Sequence, residues 1–220
     1  MTARDEVLAR IRAAHAAAPP PSLDYSDISR DYRTDSDPDV DFLVERLVDR
    51  LLDYKALVRS ASAGTLADTV SAALTERGVR SAVVPVGLDP SLLSAVELDV
   101  RVDGQELLSV ADLDSTDAVV TACAAAVAET GTLVLDGSAD QGRRIISLIP
   151  DYHLCLVKVE QICADVPQAL ARLDGTRPIT MISGPSATSD IELDRVEGVH
   201  GPRTLEVIIV SDGSGGPRPA

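Results

Sequence analysis

The sequence contains few aromatic residues and few basic ones. Its 220 residues include one Phe, four Tyr and no Trp, so the core has to be built from Ala, Val, Leu and Ile. Lysine and arginine total 20 against 35 aspartates and glutamates, which gives a formal net charge of -15. A chain this acidic is repelled by phosphate backbones and anionic lipids, and it lacks aromatic side chains on which bases stack. We therefore expect no nucleic-acid partner and no binding to membrane surfaces.

Cysteines and long apolar runs are also scarce. The three cysteines, Cys123, Cys155 and Cys163, fit no zinc or iron–sulfur spacing and form no Cys-x-x-Cys motif. This predicts reduced, mostly buried thiols, no metal site and no cofactor in this chain. No run reaches the roughly 18 apolar residues of a membrane span, and the charged N-terminus is unlike a secretory signal. We therefore expect a cytoplasmic protein without a membrane span.

The spacing of apolar residues divides the chain into three parts. Residues 2–17 have the pattern of a short helix, and a polar, acidic arm follows it. We predict an N-terminal extension of helix and arm over 1–38, an α/β domain over 39–211 and a flexible tail over 212–220. The extension either embraces a partner chain or forms a disordered leader.

Short apolar strands alternate with helices throughout the predicted domain. Helices or helical turns are predicted at 39–53, 65–77, 90–95, 105–108, 143–149 and 166–173. Strands are predicted at 56–58, 81–84, 98–102, 118–121, 152–159, 179–182 and 204–210. This alternation is typical of βαβ units, so the predicted fold class is α/β with a mostly parallel sheet. Two extended segments that meet at Thr130-Gly131 predict a hairpin or bend.

The acidic residues are concentrated in the first half of the chain. Ten of them lie between Asp24 and Asp53, whereas the segment from Gln141 to Val210 has nine acids and seven bases. We therefore expect a small anionic ligand to bind in the second half.

Two segments carry hydroxyls or a carboxylate at predicted bends. Loop 183–192 is rich in Gly, Ser and Thr and follows a predicted strand. Its hydroxyls and backbone amides suit a phosphate or carboxylate, or else they satisfy the loop's own backbone. Glu129 lies in a Glu-Thr-Gly-Thr motif, where a carboxylate can act as nucleophile or base. A hairpin that requires glycine explains this second motif by itself.

Histidines and arginines mark two further segments. His200 lies between glycines ahead of the last strand. It is either a functional residue, acting as a general acid–base or as a ligand, or a turn residue that hydrogen-bonds a nearby carbonyl. Arg143 and Arg144 begin a predicted helix and oppose its dipole, which either a bound anion or ion pairs with nearby acids would offset. His153 begins an apolar strand, which favours a packed side chain over a ligand.

We hypothesise that loop 183–192, His200 and Glu129 converge at one edge of the sheet and bind a small anion. The candidate catalytic residues are Glu129 and His200. The candidate anion-binding residues supply hydroxyls, backbone amides or loop geometry, and they are Thr130, Gly131, Thr132, Ser183, Gly184, Pro185, Ser186, Thr188, Asp190 and Gly201.

Four segments in this order resemble the LUD-domain family, and within it the lactate-utilisation protein C branch. They are 128–135, 150–153, 183–192 and 197–202. The resemblance implies the three-layer α/β/α fold of the sugar-phosphate isomerase and CoA-transferase-like superfamily. It also implies that the protein is one of three needed to oxidise L-lactate to pyruvate. The partners would be two iron–sulfur proteins, and this chain would be the cluster-free subunit, without activity alone.

The resemblance leaves several functions open. The bound metabolite would be lactate, pyruvate or a phosphorylated cofactor. A stand-alone superfamily enzyme is the first alternative, either an acyl or CoA transferase or a folate cyclo-ligase-like enzyme. Glu129 matches the Glu-x-Gly bend of CoA-transferases, although their surrounding motifs are absent. The second alternative is a non-catalytic assembly or regulatory subunit in which residues 1–53 dock onto a partner.

Overall fold

The chain divides into two units, Met1–Arg33 and Thr34–Ala220. The computed structural model describes residues 2–18, 24–31, 38–188, 196–197 and 201–211. The first unit contains helix α1 (Ala3–Ala17) and a single 3-10 turn (Tyr25–Asp27). Helix α1 begins at a capping box in which the side chains of Thr2 and Asp5 each accept the other's backbone N–H. It confirms the predicted N-terminal helix, and none of its residues is buried.

Six parallel strands form the main sheet of the second unit. In spatial order they are β1 (Leu57–Ser62), β12 (Thr204–Ser211), β7 (Tyr152–Lys158), β4 (Ala118–Ala122), β2 (Ser81–Pro85) and β3 (Asp99–Asp103). Every neighbouring pair in this sheet is parallel. The carboxyl ends of these strands therefore share one edge of the sheet, and the predicted α/β class with a mostly parallel sheet is confirmed.

A smaller sheet contains the predicted hairpin. In spatial order its four strands are β8 (Ile162–Cys163), β5 (Ala125–Val127), β6 (Thr132–Leu135) and β9 (Thr180–Ile182). Strands β5 and β6 are antiparallel and the turn between them contains Thr130-Gly131, which confirms the predicted bend. Strands β10 (Ala187–Thr188) and β11 (Val196–Glu197) form a separate antiparallel pair.

Helices cover both faces of the main sheet. Helix α3 (Leu66–Glu76) packs on the face to which β7 contributes Leu154 and Leu156. The alternate residues of β7, Cys155 and Val157, point to the opposite face, where helix α2 (Val40–Asp53) and the smaller sheet pack. Both cores consist mainly of Ala, Val, Leu and Ile, as the scarcity of aromatic residues predicts.

One predicted helical turn is displaced along the chain. Residues 105–108 are not helical, and helix α4 (Val110–Asp114) begins shortly after them. Its start is fixed by a capping box, because the Ser109 hydroxyl accepts the N–H of Asp112 while the Asp112 carboxylate accepts the N–H of Ser109. The serine–aspartate pair therefore determines where this helix begins.

The remaining elements differ from prediction mainly in length. The helix predicted over 143–149 is a single 3-10 turn (Arg144–Ser147), and α5 (Val166–Ala171) is a short helix near its predicted place. The strand predicted at 56–58 is longer, because β1 pairs with β12 along six residues. Among the described helices, none has both the length and the apolar composition needed to cross a membrane.

A cluster around a buried carboxylate connects β12, β1, β7 and α3 on the α3 side of the sheet. Glu206 of β12 is 1% exposed and accepts a hydrogen bond from Nε of Arg59. The hydroxyl of Tyr152 donates to the same carboxylate at 2.8 Å. Arg59 also donates to Glu76 of α3 at 2.6 Å. Burial and the neighbouring Glu206 charge raise the pKa of Tyr152, so the phenol stays protonated and acts as a donor.

Replacing Arg59 by methionine should destabilise the protein by about 3 kcal/mol, because it leaves the buried Glu206 carboxylate without its main cation. The double variant Arg59→Met/Glu206→Gln should recover about half of that loss, since no buried carboxylate then remains. Urea unfolding of both variants measures the two free energies. Equal stability of the single and double variants would contradict this account of the cluster.

Candidate functional site

The Gly/Ser/Thr-rich loop begins directly after β9 and contacts the C-terminal end of α2. Gly184 has φ +83°, and a Cβ added there would lie 2.6 Å from Cβ of Tyr54, the residue that follows α2. The position therefore excludes any side chain. The N–H of Ser186 donates to the carbonyl of Pro202 at 2.8 Å. This bond ties the loop to the segment that leads into β12.

The turn between β5 and β6 meets the same loop. Oγ1 of Thr132 lies 2.7 Å from Oγ1 of Thr130 and 2.8 Å from Oγ of Ser183. Gly131 has φ +62°, and a Cβ there would lie 2.8 Å from Cβ of Arg50 in α2. The structure thus brings the hairpin turn and the loop together, as the sequence predicts for these two segments.

A cavity of about 280 Å³ lies beside the loop. Its walls come from the loop with β9, from the starts of β7 and β12, and from the 3-10 turn at 144–147. Five of the predicted anion-binding residues line it together, namely Ser183, Gly184, Pro185, Ser186 and Gly201. The volume lies just below the roughly 300–1,000 Å³ of sites for drug-sized ligands, so it suits a small metabolite.

The other predicted site residues do not line this cavity or are not described. Glu129 is exposed on the hairpin turn, and its backbone N–H donates to the carbonyl of Ala164 at 3.1 Å. Thr188 belongs to β10, and only its backbone is described. Asp190 and His200 lie outside the described residues. The catalytic roles of Glu129 and His200 therefore stay predictions.

His153 is a cavity residue that the sequence predicts only as a packed side chain. Its side chain is 1% exposed, and Nε2 lies 2.8 Å from Oγ1 of Thr121 on the neighbouring strand β4. Nδ1 has no hydrogen-bond partner among the described residues, and the residue lines the cavity. Burial lowers the pKa of His153 to about 4, so the imidazole is neutral at physiological pH. The sequence signal that could have pointed to this residue is a lone histidine within an apolar strand.

The two neighbouring arginines have different surroundings. Arg143 forms a bidentate pair with the buried Asp103, with N–O distances of 2.8 and 2.6 Å. Burial alone would raise the pKa of Asp103, but hydrogen bonds from Arg143 and from the N–H of Leu108 hold it below its usual value. Arg144 is exposed, lines the cavity and has no ion-pair partner among the described residues. The ion-pair interpretation therefore applies to Arg143, while Arg144 is available to an anion.

A larger cavity of about 750 Å³ adjoins the smaller one. The two share Arg144, Ser147 and Thr180 in their linings. The larger one lies beyond the carboxyl ends of β2 and β3, and the loop between β6 and the 3-10 turn supplies another wall. Open parallel sheets bind ligands at this kind of edge. Arg144 therefore lies between two spaces that could each hold a ligand.

The cysteines are buried away from both cavities. All three are free, and none lines a cavity wall. A hydrogen bond with Cys155 and burial raise the pKa of the Cys123 thiol, which keeps it protonated. Among the described residues, no cluster of three or more His, Cys, Asp or Glu side chains is arranged to hold a metal ion.

Comparison with known proteins agrees with the motif pattern. A family model of the LUD domain matches residues 102–210. Lactate utilization protein C of Deinococcus radiodurans is 46% identical over 172 residues, which cover 76% of this chain and 79% of that protein. This chain belongs to the LUD domain family. Lactate utilization protein C of Bacillus subtilis is 39% identical to this LUD protein over 94 residues, 39% of each chain.

A solved LUD-type structure supports the fold. The crystal structure of a DUF162 family protein from Deinococcus radiodurans matches this chain with a TM-score of 0.68 and 40% sequence identity. The match covers 79% of this chain and 99% of that one. All residues that line the smaller cavity lie between 144 and 205, inside the matched LUD domain. The described lining of the smaller cavity therefore lies entirely within the segment that the LUD model matches.

Replacing Gly131 by alanine should destabilise this LUD domain more than replacing Gly78 does. Both glycines have φ above +60°, but a Cβ at Gly78 meets nothing within 4 Å. We expect Gly78→Ala to cost about 1 kcal/mol from backbone strain, and Gly131→Ala to cost about 2 kcal/mol more because its Cβ collides with Arg50. Urea unfolding of the two variants measures the difference. Equal costs would mean that the turn does not depend on close contact with α2.

The neutral His153 should make the protein less stable in acid. The pKa rises from about 4 in the folded chain to about 6.5 in the unfolded chain, so only the unfolded state binds the proton between these pH values. Stability should therefore fall as the pH drops from about 6.5 to about 4, by a total of about 3 kcal/mol.

Unfolding at several pH values would show this loss as a difference between the wild type and His153→Gln. The exposed His15 provides the matched control for a histidine-to-glutamine substitution. If His153→Gln retains the wild-type pH dependence, the histidine is not buried in its neutral form.

Proposed function

We propose that this protein works in L-lactate utilisation, as a subunit of a system that oxidises L-lactate to pyruvate. The similarity to proteins named lactate utilization protein C in Deinococcus radiodurans and Bacillus subtilis supports this proposal. The first of these relatives covers most of this chain. A shared domain over that length favours a shared role more strongly than a single motif does.

The observation that carries the proposal is the small cavity beside loop 183–186. Five residues that the sequence predicts as anion-binding line it, together with the exposed cation Arg144. Backbone amides, hydroxyls and a guanidinium are the groups that bind a small carboxylate. A cavity of about 280 Å³ accepts lactate or pyruvate with room for a few waters.

The redox step in this proposal belongs to partner proteins. Cys123, Cys155 and Cys163 are buried, free thiols, and their spacing is not that of a cluster-binding motif. Oxidation of lactate requires an acceptor for two electrons, so the proposal assigns iron–sulfur clusters to two partner subunits. This chain would bind the small acid or its product and would show no lactate oxidation alone.

Lactate-dependent growth tests the proposal. A strain that lacks this gene should not grow on L-lactate, and the wild-type chain should restore growth. Arg144→Gln should restore it only weakly, because the cavity loses its cation. Arg172→Gln is the matched control, since Arg172 is exposed and lies outside both cavity linings. All strains should grow equally on glucose.

Two results would contradict the proposal. One is normal growth of the deletion strain on L-lactate. The other is turnover by the purified chain alone that Glu129→Gln abolishes, which would identify a stand-alone transferase.

A further inference from the structure

A histidine in the wall of the smaller cavity has a buried polar atom that the described part of the fold leaves unsatisfied. Nδ1 of His153 has no hydrogen-bond partner among the described residues, although the side chain is 1% exposed and Nε2 is bonded to Thr121. An unpaired buried polar atom is unfavourable for folding, so it requires an explanation. An oxygen atom of a ligand in the cavity would supply the missing partner.

We propose that the cavity binds a small carboxylic acid with an oxygen on carbon 2, and that Nδ1 of His153 hydrogen-bonds this 2-oxygen. Arg144 lines the same cavity and supplies the positive charge for the carboxylate. The choice of lactate and pyruvate as ligands rests on the proposed function. The new element is the residue that distinguishes these acids from other small anions.

The imidazole suits this task because it is neutral. Its low pKa, a consequence of burial, means that it contributes a directional hydrogen bond and no charge. The carboxylate is therefore held by Arg144 and by the hydroxyls of the loop, while the histidine recognises a different atom. Any small anion can use the first interaction, but only an acid with a 2-oxygen can use the second.

The hydrogen bond with Thr121 lets one histidine accept both members of the redox pair. When the Thr121 hydroxyl donates to Nε2, the proton is on Nδ1, which then donates to the carbonyl oxygen of a 2-oxo acid. When Nε2 donates to the hydroxyl instead, Nδ1 accepts from the hydroxyl of a 2-hydroxy acid. The same geometry therefore fits lactate and pyruvate without movement of the strand.

Calorimetric titration of the purified full-length chain tests the ligand class. L-lactate and pyruvate are compared with propionate, which has the same carbon chain and carboxylate but no 2-oxygen. We expect each of the first two to bind about tenfold more tightly than propionate, the ratio that one hydrogen bond of about 1.4 kcal/mol produces. Equal affinity for all three acids, or binding of none, would overturn the proposal.

Two amide substitutions at His153 distinguish the roles of its two ring nitrogens. The short side chain in His153→Asn places its amide near the position of Nδ1, whereas the longer one in His153→Gln reaches the position of Nε2. We expect His153→Asn to keep the preference for lactate over propionate and His153→Gln to lose it. If His153 had only a structural role, each variant would lose the same factor of affinity for lactate and for propionate. A wild-type preference in His153→Gln would overturn the proposal.

Nitrogen-15 NMR of the wild-type protein provides a measurement that does not depend on the variants' folding. The Nδ1 resonance of His153 should shift when pyruvate or L-lactate is added and should stay in place with propionate. Absence of a shift with saturating pyruvate would overturn the proposal.

The binding experiment and the growth experiment test the site and the proposed function separately. Selective binding of lactate without support of lactate-dependent growth would leave the site in place and refute the proposed function. Support of growth without binding of any of the three acids would refute the site and leave the function.

Discussion

The smaller cavity depends on how closely two glycines approach the C-terminal end of helix α2. Gly131 lies against Arg50 and Gly184 against Tyr54, four residues further along, so both contacts fall on one side of the helix end. Positive φ angles at both positions add a second reason for glycine. These contacts bring the hairpin turn and the loop near enough for Thr132 and Ser183 to share a hydrogen bond. Core packing therefore positions the loop wall of the cavity.

Two ionisable side chains are buried in adjacent strands of the main sheet, and the fold treats them in opposite ways. Glu206 of β12 is paired with Arg59 and Tyr152, so its charge is compensated. His153 of β7 has no charged partner among the described residues, and burial makes it neutral instead. The first arrangement satisfies a buried charge on the α3 side of the sheet. The second leaves one ring nitrogen without a hydrogen-bond partner among the described residues.

Local sequence patterns predicted more of the fold than of the candidate site. Most helix and strand positions, the bend at Thr130-Gly131 and the aliphatic core follow from neighbouring residues, and the structure confirms them. The loop at 183–192 is indicated by its unusual composition. Contacts between distant segments have no such signal, as with Thr121 and His153, which are 32 residues apart. The sequence therefore indicates the loop wall of the cavity and the burial of His153, but not the position of His153 in another wall.

The acidity of the chain does not prevent an anion from binding in this cavity. Ten acids lie between Asp24 and Asp53, whereas the cavity walls come from the segment between Gln141 and Val210, which has nine acids and seven bases. Arg144 lines the cavity and has no ion-pair partner among the described residues, so its charge is available to a small anion there. The net charge of -15 determines which polyanions the protein repels, whereas a small acid in the proposed site would meet the local charges of the cavity.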